Sequence, residues 1–97
     1  MPSESSIVAR ICENLKKRGI YHEKYHGSPY TRRGRPDLEV IVPTGQPGIV
    51  KLYFLEVKQP GKKPTELQTH RMGQLRAAGA IAEMITSWED ARLVLGI

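Results

Sequence analysis

The chain has 97 residues, 39% of them hydrophobic, with 15 Lys and Arg against 10 Asp and Glu and a formal charge of +5. A chain of this length buries roughly 60–70% of the surface its unfolded form exposes, enough for one sheet with a few helices and too little for a multidomain enzyme or a large cofactor fold. Its apolar stretches are too short to span a bilayer, no basic start precedes a greasy run, and the lone Cys12 offers neither an internal disulfide nor a CxxC zinc site, so the expectation is a cytoplasmic protein held together by packing.

Eight of the Lys and Arg face only three acids in residues 1–35, whereas residues 36–97 carry seven of each, so the whole excess lies in the first third. A concentrated basic surface attracts polyanions, nucleic acid first among them. Ser3 is placed to cap a helix on which Ile7, Val8, Ile11 and Leu15 recur along one face, with Lys16, Lys17 and Arg18 near its negative end and Gly19 as its stop. Glu4 falls on the same core-facing stripe, an unexpected place for an acid unless the helix dipole or a function keeps it there.

Residues 20–26 are predicted as a strand between Gly19 and Gly27-Ser28-Pro29. They include His22-Glu23-Lys24-Tyr25-His26, which matches the H-E-x-x-H zinc-protease signature, but that chemistry needs a helix to bring both histidines onto one zinc. As a strand the segment puts His22, Lys24 and His26 on one face and Tyr21, Glu23 and Tyr25 on the other, which leaves a zinc protease as a remote alternative. The following loop carries Arg32, Arg33 and Arg35, candidates for phosphate contact.

Strands are predicted over 38–42 and 49–58, joined by the turn 43–48 as an antiparallel hairpin. Residues 60–64 form a loop in which Lys62 and Lys63 add to the DNA-binding candidates, and Thr65-Glu66-Leu67-Gln68 fits a capping box opening a helix to Ala78. A strand over 80–86 and a helix capped at Ser87 and running through Leu95 complete the chain. Trp88 is read as a helix-start anchor and Cys12 as a small core residue. The order implies an α/β (α+β) fold, one sheet covered by helices, with residues 1–97 as a single domain.

Alternation along a strand puts Glu56 and Lys58 on one side and Val57 on the other. Asp37 opens the preceding strand, and an antiparallel pairing brings it to Glu56. Two close carboxylates repel unless protonated or bridged by a cation, and an all-oxygen set suits a hard ion such as Mg2+ or Mn2+. Such an ion would take Asp37, Glu56 and the Val57 backbone carbonyl, with Lys58 beside it, an arrangement suited to phosphodiester hydrolysis.

Glu4-Ser-Ser-Ile7, Arg33-Gly-Arg-Pro-Asp37-Leu, Phe54-Leu-Glu56-Val-Lys58, Pro60-Gly and Thr65-Glu-Leu-Gln68 together resemble the PD-(D/E)XK nucleases, and within them the virus-type replication-repair nuclease (VRR-NUC) domain. The resemblance implies a restriction-endonuclease-like α-β-β-β-α-β core with a short C-terminal helix, and metal-dependent cutting of DNA, with a taste for flaps or Holliday junctions. It implies that Asp37 and Glu56 are metal ligands, that Val57 offers its carbonyl, that Lys58 is the catalytic lysine, and that Glu4 reaches the metal directly or through water. Gln68 is the counterpart of a frequent active-site glutamine, although Met72 stands where an aromatic usually follows.

The rival class is a catalytically silent DNA-binding module of the same fold, against which the intact set Glu4, Asp37, Glu56 and Lys58 speaks. No organic cofactor is expected. Paired cuts at a junction call for a two-fold homodimer, and apolar residues on both faces of the strand over 49–58 are its indirect support. So compact a domain suggests a bacterial or phage source.

Overall fold

A computed structural model describes residues 1–25 and 33–97; residues 26–32, His26 and Arg32 among them, lie outside the described residues. Helix α1 (Glu4–Lys17) starts where the Ser3 hydroxyl accepts the Ser6 N–H at 3.1 Å, and buries Ile7, Val8, Ile11 and Leu15 along one stripe. Gly19 follows with φ +66°, the left-handed turn that ends the helix and sends the chain into the sheet. Strands β1 (Tyr21–Lys24), β2 (Leu38–Pro43) and β3 (Val50–Val57) form an antiparallel meander. Helix α2 (Glu66–Ala77) then carries the chain across to β4 (Ile81–Ile85), which lies parallel to β3, and α3 (Trp88–Leu95) closes the order.

The sheet order is β1-β2-β3-β4. Period-2 alternation splits its side chains between two cores. Leu38, Val40, Tyr53, Leu55 and Val57 pack against α1 and α3, whereas Phe54 meets Met72 of α2 and Ala82. Trp88 is buried at the start of α3, with Arg18 stacked over its ring at 4.9 Å, and Cys12 packs at the edge of the larger core, both as anticipated. The α/β (α+β) class and the order α-β-β-β-α-β-α are those expected, with β1, β3 and β4 shorter by a residue or two at their ends and β2 longer by one, through Pro43.

One inference about β3 is corrected. Its two apolar faces are not surplus surface for a second subunit, because Tyr53, Phe54, Leu55 and Val57 are buried within the chain and only Ile49 and Val50 stay about half exposed. No helix among the described residues is long and apolar enough to cross a membrane.

Candidate functional site

The sheet register builds the site. Leu38 pairs with Leu55 and Lys24 with Leu38, so one step further Asp37 lies between Tyr25 and Glu56. Two bonds confirm that step: the Tyr25 N–H donates to the Asp37 carbonyl at 2.9 Å, and the Val57 N–H donates to Asp37 Oδ2 at 2.8 Å. Directly paired residues share a face, so Tyr25, Asp37 and Glu56 form a row across one end of the sheet, on the α2 side. The preceding Pro36 is fully buried and anchors the entry to β2.

Glu56 is 3% exposed, the one charged residue in the core among those described. Its Oε1 accepts the Gln68 Nε2–H at 2.9 Å, while Oε2 is buried without a hydrogen-bond partner. Burial first, and the facing Asp37 carboxylate second, push its pKa up to about 8; Glu4 adds to this and Lys58 opposes it. A buried acid with an orphaned oxygen beside a second acid is what a hard cation would relieve, and the donors are all oxygen. The residues fit such an ion.

Gln68 serves two ends at once. Its Oε1 accepts the Thr65 N–H at 2.8 Å, completing the capping box of α2, while its amide holds Glu56. Its neighbour Leu67 is 39% exposed and lies against Gly34. Lys58 is half-buried; its N–H donates to the Ile85 carbonyl at 3.0 Å, which prolongs β3 alongside β4.

Glu4 is half-buried at the first turn of α1. It makes itself felt at Glu56 by charge, but among the described residues no three acids, histidines or cysteines stand close enough to hold one ion together. Gln59, which the sequence did not single out, ties this end of the chain down by donating from Nε2 to the Pro2 carbonyl at 2.9 Å.

Arg33, Arg35, Lys62 and Lys63 are exposed. The segment 33–35 is pressed onto α2: the Arg71 Nε–H donates to the Arg33 carbonyl at 3.1 Å, and Gly34 turns with φ +77°. A Cβ at Gly34 would sit 2.8 Å from Leu67 Cγ and 3.1 Å from the Leu67 carbonyl. Gly34→Ala therefore meets both left-handed strain and backbone contact, and is expected to cost about 1–3 kcal/mol, lowering Tm by roughly 4–8 °C for each of them in a thermal melt. An unchanged Tm would mean that the segment does not pack on α2.

The segment that matched H-E-x-x-H is strand β1 up to Lys24, with His22 Nδ1 bonded to the Ile20 carbonyl at 2.9 Å. His22 and Glu23 point to opposite faces of it, so the helix on which zinc-protease chemistry depends is not formed.

No family model matches the chain. It is 38% identical over 76 residues to "Putative nuclease p44" of Acyrthosiphon pisum secondary endosymbiont phage 1, a match covering 78% of this chain and 74% of that one. A solved structure described as "VRR_NUC domain" superposes with a TM-score of 0.74 at 26% identity, over 96% of this chain and 94% of the other. This chain belongs to the VRR-NUC family. A second structure, "VRR_NUC domain protein", shares the fold with a TM-score of 0.73 at 17% identity over 99% of this chain and 87% of its own. The VRR-NUC fold thus accounts for the strand order that sets Asp37 against Glu56.

Proposed function

We propose that this VRR-NUC domain is a divalent-metal-dependent endonuclease that hydrolyses DNA phosphodiester bonds at the Asp37–Glu56 pair. The observation that carries the reading is Glu56 itself: a buried carboxylate, one oxygen unpartnered, opposed by a second carboxylate. Selection for stability alone disfavours such a pair, because both groups cannot ionise together without a counter-charge. The name of the phage relative, a nuclease, points the same way.

Asp37, Glu56 and the Val57 carbonyl would hold Mg2+ or Mn2+, with Glu4 acting through water. When bound, such an ion polarises a phosphoryl oxygen and lowers the pKa of a water. The chain's own residues do the rest. The Val57 N–H and the Gln68 amide fix the orientation of the two carboxylates. Lys58, on the Glu56 side of β3, orients the attacking water and offsets the charge that grows on the phosphate as the P–O bond to the leaving sugar oxygen breaks. Arg33, Arg35, Lys62 and Lys63 contact the backbone phosphates without reading sequence.

The preferred substrate is branched DNA, a flap or four-way junction. Resolving a junction takes two symmetry-related cuts, and a two-fold homodimer supplies both centres. The test is a panel of end-labelled linear duplex, single strand, flap and four-way junction with Mg2+ and Mn2+ in turn. Cleavage should vanish with EDTA and return with added metal. Cutting that survives chelation, or none with either ion, would sink the reading. Sedimentation equilibrium at micromolar concentration should give twice the chain mass of 10.9 kDa. A mass that stays at one chain removes the dimer and its route to paired cuts.

A further inference from the structure

The third residue in the row at the end of the sheet has no part in the chemistry above. Tyr25 stands directly across from Asp37, on the same face as both carboxylates and one strand spacing, about 5 Å, from Asp37. Its side chain is tied at both ends. The hydroxyl donates to Glu39 Oε2, one alternation further along β2 on that face, and the ring carries the Arg35 guanidinium at 3.7 Å from its centroid. Burial and the bond to Glu39 raise the pKa of the phenol, so its hydroxyl remains a donor to Glu39 and its ring a platform for the cation.

Arg35 differs in this from the other exposed cations of the loop. Arg33 is held by its backbone carbonyl, whereas Arg35 has its guanidinium carbon over the Tyr25 ring. A guanidinium over a ring gives one face to that ring while its N–H donors lie in its own plane, where an anion can still be met at the rim. A guanidinium so placed loses less freedom when it engages a phosphate.

We propose that Tyr25 is a positioning residue: its ring, steadied by Glu39, holds Arg35 beside Asp37, where the guanidinium takes the backbone phosphate next to the one that is cut. The assignment rests on the nuclease reading for the identity of the ligand and on the sheet register for its place. Arg35 then sets which phosphate enters the Asp37–Glu56 centre, and Tyr25 acts only through Arg35.

The test is a double-mutant cycle in kcat/KM with DNA that the wild type cuts, using Tyr25→Leu, Arg35→Ala and the two together, each checked for folding by circular dichroism. Each single change should lower kcat/KM by about 10- to 100-fold, the scale of a mispositioned substrate, and the double should fall no more than about threefold below the worse single. Tyr25→Phe keeps the ring and should stay within about threefold of wild type. A methylphosphonate at the phosphate beside the cut should slow the wild type and leave Arg35→Ala almost unaffected.

Losses that multiply in the double variant, or a Tyr25→Phe as damaged as Tyr25→Leu, would overturn the proposal. So would a methylphosphonate that slows Arg35→Ala as much as wild type. The same cycle is read in Kd for DNA without metal. A wild type that cuts nothing with any divalent ion counts against the nuclease reading, and the pair is then decided by Kd: non-additive losses retain the clamp, additive ones remove it.

Discussion

Asp37→Ala and Glu56→Ala are each expected to lower the single-turnover cleavage rate by about 10^3-fold or more while DNA affinity is kept or slightly improved. The two effects have one cause. Each carboxylate is worth having only if it holds a cation against the phosphate; without the cation it repels the substrate. Removing Glu56 also frees the Gln68 amide from its bond at 2.9 Å, and removing Asp37 frees the Val57 N–H from its bond at 2.8 Å, so neither loss is compensated locally. Lys58→Ala is expected to cut turnover by about 10^2–10^3-fold with metal affinity largely intact, since its ammonium acts on water and phosphate. Cleavage kinetics, fluorescence anisotropy on labelled DNA and calorimetric titration with Mn2+ separate the three. Near-full activity in either carboxylate variant would remove the site, and lost metal affinity in Lys58→Ala would make that lysine structural.

Without metal, Glu56→Gln should be more stable than the wild type, and the difference should grow with pH. The folded-state pKa of Glu56 is raised from 4.5 to about 8 by burial and by Asp37. Below about pH 4.5 the folded and unfolded chains both hold the proton, and the site costs nothing. Between there and about pH 8 the unfolded chain has released the proton that the folded one keeps, so stability falls as pH rises. Above pH 8 both have lost it and the penalty is at its full value, about 5 kcal/mol from the shift alone and on the order of 2–4 kcal/mol once solvent at the site screens the charges. For a domain this small that is a Tm lowered by roughly 10–20 °C between pH 5 and pH 9, measured by differential scanning calorimetry in EDTA. Glu56→Gln keeps an acceptor for Gln68 and carries no charge, so its melt should lack this slope. Mn2+ should raise the wild-type Tm most at high pH, where it replaces the missing proton, and should leave Glu56→Gln nearly unmoved. A pH-independent wild-type melt, or a variant less stable at pH 9, would show that the buried carboxylate is satisfied in some other way.

These expectations draw on two kinds of information. Local chemistry was legible in the one-dimensional chain because it is local. The Ser3, Thr65 and Ser87 caps, the Gly19 stop and the helical spacing of Ile7, Val8, Ile11 and Leu15 each need only neighbours three or four residues away, and all appear where they were anticipated. The Asp37–Glu56 meeting was legible too, because a short hairpin turn leaves few registers and a period of two fixes which side chains share a face.

Tertiary structure decided the rest. Whether Glu56 is buried, and hence whether its acidity is altered, depends on α2 laying Gln68 over β3, a contact between separate elements that spacing along the chain cannot measure. The fate of the apolar β3 faces depended on three helices covering them from both sides, which turned apparent surplus into ordinary core. Tyr25 gained its place from a register running through two strand pairs, and its ring is matched to Arg35 across ten positions of chain. Amino-acid order specifies the propensities, the caps and the alternation; distance, desolvation and the sharing of one sheet end by Tyr25, Asp37 and Glu56 arise only when the elements pack, because electrostatic and solvation energies depend on separation in space and on the water excluded between groups.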